Sequence, residues 1–119
     1  MIWVGTSNGL IKLTKDGGQS WNDVSVEGIP NGNRGLVAKV EPSAFDAATA
    51  YAVIDLHAVG DYTPHVFRTH DYGKSWAPIT AGLPTAQPSG SFARALKGDP
   101  KRQGLLFLGT ESGMYVSFN

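Results

Sequence analysis

The sequence predicts an all-β chain built from a repeated four-stranded unit, and three observations carry that reading. First, residues 14–21 read Thr-Lys-Asp-Gly-Gly-Gln-Ser-Trp and residues 69–76 read Thr-His-Asp-Tyr-Gly-Lys-Ser-Trp. Both fit Thr-x-Asp-x-Gly-x-Ser-Trp, and Asp16 and Asp71 lie 55 positions apart. An internal repeat of roughly 50 residues marks a solenoid, a propeller or an array. Second, Gly109-Thr110-Glu111-Ser112-Gly113-Met114 aligns with Gly5-Thr6-Ser7-Asn8-Gly9-Leu10 at an offset of 104, two units of 52. In that alignment Asn119 matches Lys15. Third, no window places apolar residues at helical spacing behind a cap.

Taken in order, residues 2–6 are a short β-prone run, and Ser7-Asn8-Gly9 turns it, because Asn-Gly between apolar runs is a strong hairpin signal. Residues 10–14 return, the first box turns again, and residues 20–26 make a third strand. Residues 28–35, with Pro30, Asn31, Gly32 and Asn33, read as a loop. Residues 36–41 alternate Leu36, Ala38 and Val40 against Val37, Lys39 and Glu41, the pattern of a half-buried strand that Pro42 ends. Residues 49–56 are a second run rich in Ala, Tyr, Val and Ile. After the loop 57–64, residues 65–69 enter the second box and residues 75–80 leave it. The loop 81–89 carries Pro84 and Pro88. Residues 92–96 alternate again, Gly98-Asp99-Pro100 turns, and residues 105–110 and 114–118 complete the pattern.

Labelling the strands of one unit A to D gives B-C-D over residues 1–27, A-B-C-D over 35–80 and A-B-C over 90–119. Four-stranded units repeated radially are the blades of a β-propeller. The expected architecture is therefore a propeller segment of about two and a half antiparallel blades. Each repeat buries its apolar face only against neighbours. Two flanks stay open, and the expected partners are a second copy of the chain or the remaining blades of a parent protein.

Bulk composition narrows the function classes. The chain has 119 residues, ten basic and ten acidic side chains and a formal charge of zero. Neither sign gathers in a run, which argues against nucleic acid or an anionic membrane, since both need a concentrated basic face. Cysteine is absent, which excludes disulfides and thiolate metal sites. The first residues enter a strand pattern with no basic n-region or apolar h-region, so no signal peptide is expected within this chain.

At the two boxes the sequence resembles the Asp-box (BNR) repeat family, whose pattern is Ser/Thr-x-Asp-x-Gly-x-Thr/Ser-Trp. Sialidases, xyloglucan-degrading endoglucanases, the sortilin ectodomain and photosystem II assembly factors carry it. Residues 62–69 and 106–115 look like the large bacterial proteins labelled glycosyl hydrolase or sortilin-like. The resemblance covers essentially the whole chain and implies a propeller, with a secreted or periplasmic setting. It also implies that the boxes sit on C–D hairpins, away from the usual active-site face. The box is shared by enzymes and non-enzymes, so it is specific for fold rather than function.

The box residues Thr14, Asp16, Gly18, Ser20 and Trp21, and Thr69, Asp71, Gly73, Ser75 and Trp76, read as structural. The Asp can accept hydrogen bonds from its own turn, the Gly supplies positive φ, and the Trp can pack beside the next blade. One Asp in a Gly-rich turn offers calcium too few oxygens, and Gly17-Gly18 lacks the pattern of a phosphate loop. His57 and His65, with no third ligand, make no zinc site. No metal or cofactor is expected.

The expected ligand face lies around the channel, where the candidates are His57, Asp61 and Tyr62 on a B–C loop and Arg34 and Arg94 near the channel side of strand A. Asp61 could act as an acid and Tyr62 as a platform for a carbohydrate ring. Glycoside hydrolysis needs two carboxylates across the scissile bond, and Glu27, Glu41 and Glu111 pair with no Asp by position. Arg34, Arg68, Arg94 and Arg102 do not make the arginine triad that a sialidase needs; Lys39, Arg68 and Lys97 read as solvent-facing. The expected function is a non-catalytic scaffold or interaction surface. The alternative is a fragment of a sialidase-like or xyloglucanase-like glycoside hydrolase with its catalytic residues mostly elsewhere.

Overall fold

The computed structural model describes residues 1–26, 36–56, 64–79, 93–110 and 113–118. Within them the chain is all-β, with ten strands and no helix. β1 (Ile2–Gly5), β2 (Ile11–Thr14) and β3 (Asn22–Asp23) form the first sheet, in that order. β4 (Leu36–Pro42), β5 (Ala50–Asp55), β6 (His65–Thr69) and β7 (Ala77–Pro78) form the second. The third is β8 (Ala93–Gly98), β9 (Leu106–Thr110) and β10 (Met114–Ser117). Every pairing is antiparallel between consecutive strands, so each sheet is a meander. The strands after the boxes are two residues long, far shorter than the runs 20–26 and 75–80 predict.

The sheets stack face to face in chain order. Trp3, Ile11, Val24 and Val26 of the first meet Val37, Val40, Ala52, Ile54, Leu56, Phe67 and Trp76 of the second. On the other face of the second sheet, Ala38, Tyr51, Val53, Val66 and Ile79 meet Ala93, Leu96, Leu106, Leu108 and Tyr115 of the third. Successive side chains alternate between faces, so β5 feeds both cores, and all six of its residues are buried. Two polar ties reinforce the stack: Val37 N–H donates to the Thr6 carbonyl at 3.0 Å, and Gly98 N–H donates to Glu41 Oε2 at 2.9 Å. At Gly5 the sheets approach so closely that a Cβ would collide with Val37.

The structure corrects three sequence expectations. Strict alternation would set Val37 opposite Val40 and Ala93 opposite Leu96. Instead the register shifts between Val37 and Lys39 and between Ala93 and Ala95. The extra residue of each bulge resets the side-chain phase, so Val37 and Val40 both reach toward Gly5, and Ala93 and Leu96 enter one core. Second, Lys97 is exposed, Lys39 is half-exposed and both flank Glu41, but Arg68 is not fully solvent-facing: its Nε is buried without a hydrogen-bond partner. It lies opposite Tyr51, on a residue row that faces the third sheet. Third, Gly5 pairs with Ile11 whereas Gly109 pairs with Met114. The second turn is one residue shorter, so Met114 stands where Ile11 does, not Leu10, and Ser117 stands where Thr14 does.

Candidate functional site

Each box folds around a buried threonine at the end of a strand. Thr14 and Thr69 are 0% and 1% exposed. Thr69 Oγ1 donates to Asp71 Oδ1 at 2.7 Å and accepts from Gly73 N–H at 2.9 Å. Asp71 Oδ1 also accepts from Ser75 N–H at 2.9 Å, and Oδ2 accepts from the Ser75 hydroxyl at 2.6 Å. The first box repeats every contact: Thr14 to Asp16 at 2.8 Å, Gly18 N–H to Thr14 at 3.0 Å, and Ser20 to Asp16 at 2.9 and 2.6 Å. Three charge-assisted bonds favour the ionised carboxylate. The Ser hydroxyl, the Ser N–H and the Thr hydroxyl, in that order, pull Asp16 and Asp71 from 3.8 to about 2.

The glycines make the turn possible. Gly18 and Gly73 have φ of 99° and 84°, and the residues before them, Gly17 and Tyr72, have 75° and 61°. Tyr72 is thus a bulky residue in the left-handed region, where such residues are uncommon. Its N–H donates to the Ala48 carbonyl at 3.0 Å, and the Lys15 ammonium sits 3.7 Å from its ring centroid. The first box therefore touches the second through a cation–π contact.

What separates the boxes is their surroundings. A Cβ on Gly73 would lie 2.6 Å from Val24 Cβ, whereas one on Gly18 would have no neighbour nearer than Trp21, at 4.0 Å. Trp76 Nε1 donates to the Val24 carbonyl at 2.7 Å, and its ring meets Trp3 edge-on at 6.2 Å. Trp21, in the same position of its own box, is 45% exposed. This corrects the expected direction: Trp76 packs on the preceding sheet, not the next, because its indole turns back toward Val24 and Trp3. Between the two boxes lies a cleft of about 570 Å³, whose rim includes Lys15, Asp23, Tyr72, Lys74 and Trp76. Asp23 is engaged there, with Ser25 and with Lys12 at 3.3 Å, and its pKa is lowered chiefly by the Ser25 hydroxyl.

Of the channel-face candidates, Arg94 is exposed beside the β8 bulge. Arg34, His57, Asp61 and Tyr62 lie outside the described residues. Asp55, at the end of β5 before that loop, is buried. Sequence reasoning missed Thr49, Asp46 and His70. Asp46 accepts from Ala48 N–H and from the Thr49 hydroxyl, and Thr49 lies 2.9 Å from His70 Nδ1, bracing the second box from the β4–β5 connection. The Asp-x-x-Thr spacing of a local turn was their only signal. Among the described residues no three His, Cys, Asp or Glu side chains gather as a metal site, and no helix is long and apolar enough to cross a membrane.

No family model matches the chain, and no curated protein does. Among solved structures, it is similar to a β-propeller described as "YCF48 bound to D1 peptide", with a TM-score of 0.67 and 20% sequence identity. The match covers 98% of this chain and 33% of that one, so the chain spans about a third of the length of that structure. The likeness establishes the propeller fold.

Proposed function

We propose that this chain is an Asp-box (BNR) repeat propeller segment of the sortilin-like kind, acting as a non-catalytic scaffold or interaction surface. Its organisation is strands B-C-D over 1–27, a complete blade over 35–80 and strands A-B-C over 90–119. It works within a larger or oligomeric propeller. The observation that carries this reading is the state of the box carboxylates. Asp16 and Asp71 accept three bonds each from their own turns, and the second box aims Gly73 and Trp76 at the neighbouring sheet. Groups so committed hold a turn and a joint; they are not positioned to move a proton to a substrate. The peptide named with the similar structure supports an interaction role for a propeller of this build.

The test is turnover. The full chain is incubated with fluorogenic sialosides and xyloglucan oligosaccharides, beside an Asp61→Asn variant. The scaffold reading expects no release above buffer. Release that scales with protein and disappears in the variant would overturn the scaffold reading and place catalytic groups within this chain.

A further inference from the structure

The two outer faces of the stack are the two halves of a joint that the chain already makes twice. On the first sheet, Ile2 and Val4 point away from the second sheet and are 48% and 39% exposed. By strand register their counterparts on the third sheet are Leu106 and Leu108, since Ile2 lies opposite Thr14 as Leu106 lies opposite Ser117. Those leucines are each 6% exposed, packed on the second sheet. At the other end, Met114 and Val116 are 72% and 47% exposed. Their counterparts Ile11 and Leu13 are 0% and 1% exposed. Identical positions are covered inside the chain and open at its ends.

We propose that these faces dock on each other between two copies of this chain, head to tail. The outer face of the third sheet (Phe107, Met114 and Val116) seats on the outer face of the first (Ile2 and Val4). This rests on the reading of the chain as an assembling propeller segment, and it names the occupant. A second copy fits because one chain presents both complementary halves, and two unlike faces make a heterologous contact. Beside the faces, Lys12 pairs with Asp23 at 3.3 Å, and Lys97 shares Glu41 with Lys39, at 3.9 and 3.7 Å. Among the described residues the first and third sheets have three strands each, and each packs one face on the second sheet.

The experiment is light scattering on a sizing column over a dilution series, with wild type, Val4→Lys and Val116→Lys. Met114→Lys stands in if Val116→Lys does not fold, and circular dichroism confirms the folded state of each. Wild type should assemble. Each variant alone should be monomeric, weakened by at least about 30-fold as for loss of an interface anchor. An equimolar mixture of the Val4 and Val116 variants should form a 1:1 dimer, because each retains the half that the other lost. A monomeric wild type overturns the proposal, as does an assembly that the single variants leave intact. A mixture that stays monomeric also overturns it, pointing to like faces pairing. None of these outcomes depends on the glycoside assay, so the scaffold reading stands or falls separately.

Discussion

At the scale of single residues, the box is a device for holding a carboxylate ionised at the end of a hairpin. The threonine oxygen accepts from the glycine N–H while its hydroxyl donates a hydrogen bond to the aspartate, and serine closes the other side. Because folding lowers the pKa of Asp16 and Asp71 from 3.8 to about 2, the folded state binds fewer protons than the unfolded chain over that interval. Their contribution to stability is full above the unfolded value and is lost as pH falls toward about 2. The lowered Asp23 and Asp46 act with the same sign. Thermal melts followed by circular dichroism should therefore show a falling midpoint as pH drops through this window. Asp71→Asn should lower the midpoint at neutral pH and flatten the acid dependence. An unchanged acid slope would show that this carboxylate is not among the titrating groups. The Asp and Gly roles were legible in the sequence because turn chemistry is local. The threonine as hub was not, since its burial depends on the sheet behind it.

At the scale of elements, Trp76 fastens the second hairpin to the first sheet, while Trp21 stands 45% exposed. Trp76→Phe removes the N–H that meets the Val24 carbonyl. Such a change should cost about 1–2 kcal/mol, the range for a lost hydrogen bond with its partner left behind. Trp21→Phe, at an exposed site, should stay within about 0.5 kcal/mol. Urea titrations of the two variants measure the difference, and equal losses would contradict the assigned geometry. The strand runs themselves were readable from β-branched clusters and turn residues. Their phase was not. A bulge adds a residue without altering composition, so nothing in Leu36 to Val40 or Ala93 to Leu96 announced that residues three apart would share a face. The direction of the tryptophans was equally hidden, because a motif gives the residue and not the side of the sheet to which it turns.

At the scale of the whole molecule, the second sheet is the keystone. Among the described residues it alone has both faces covered, and β5 has no exposed residue. Native-state hydrogen exchange should find the slowest amides in β5 and much faster exchange in β1 and β10, which lie at sheet edges among the described residues. Uniform protection across the three sheets would show that the stack opens only as a unit. The repeat announced this architecture in the sequence, because a motif recurring every 50-odd residues constrains topology. Arg34, His57, Asp61 and Tyr62 fall in stretches that the sequence reads as loops, where no such repeat constrains the reading. The duplication has one more consequence. Gly18 and Gly73 share a motif, a left-handed backbone and a hydrogen-bond pattern, yet one has no neighbour nearer than Trp21, at 4.0 Å, and the other faces Val24. Matched substitutions at the two boxes therefore cancel the strain of the turn and leave the influence of the adjoining sheet: the molecule contains its own control.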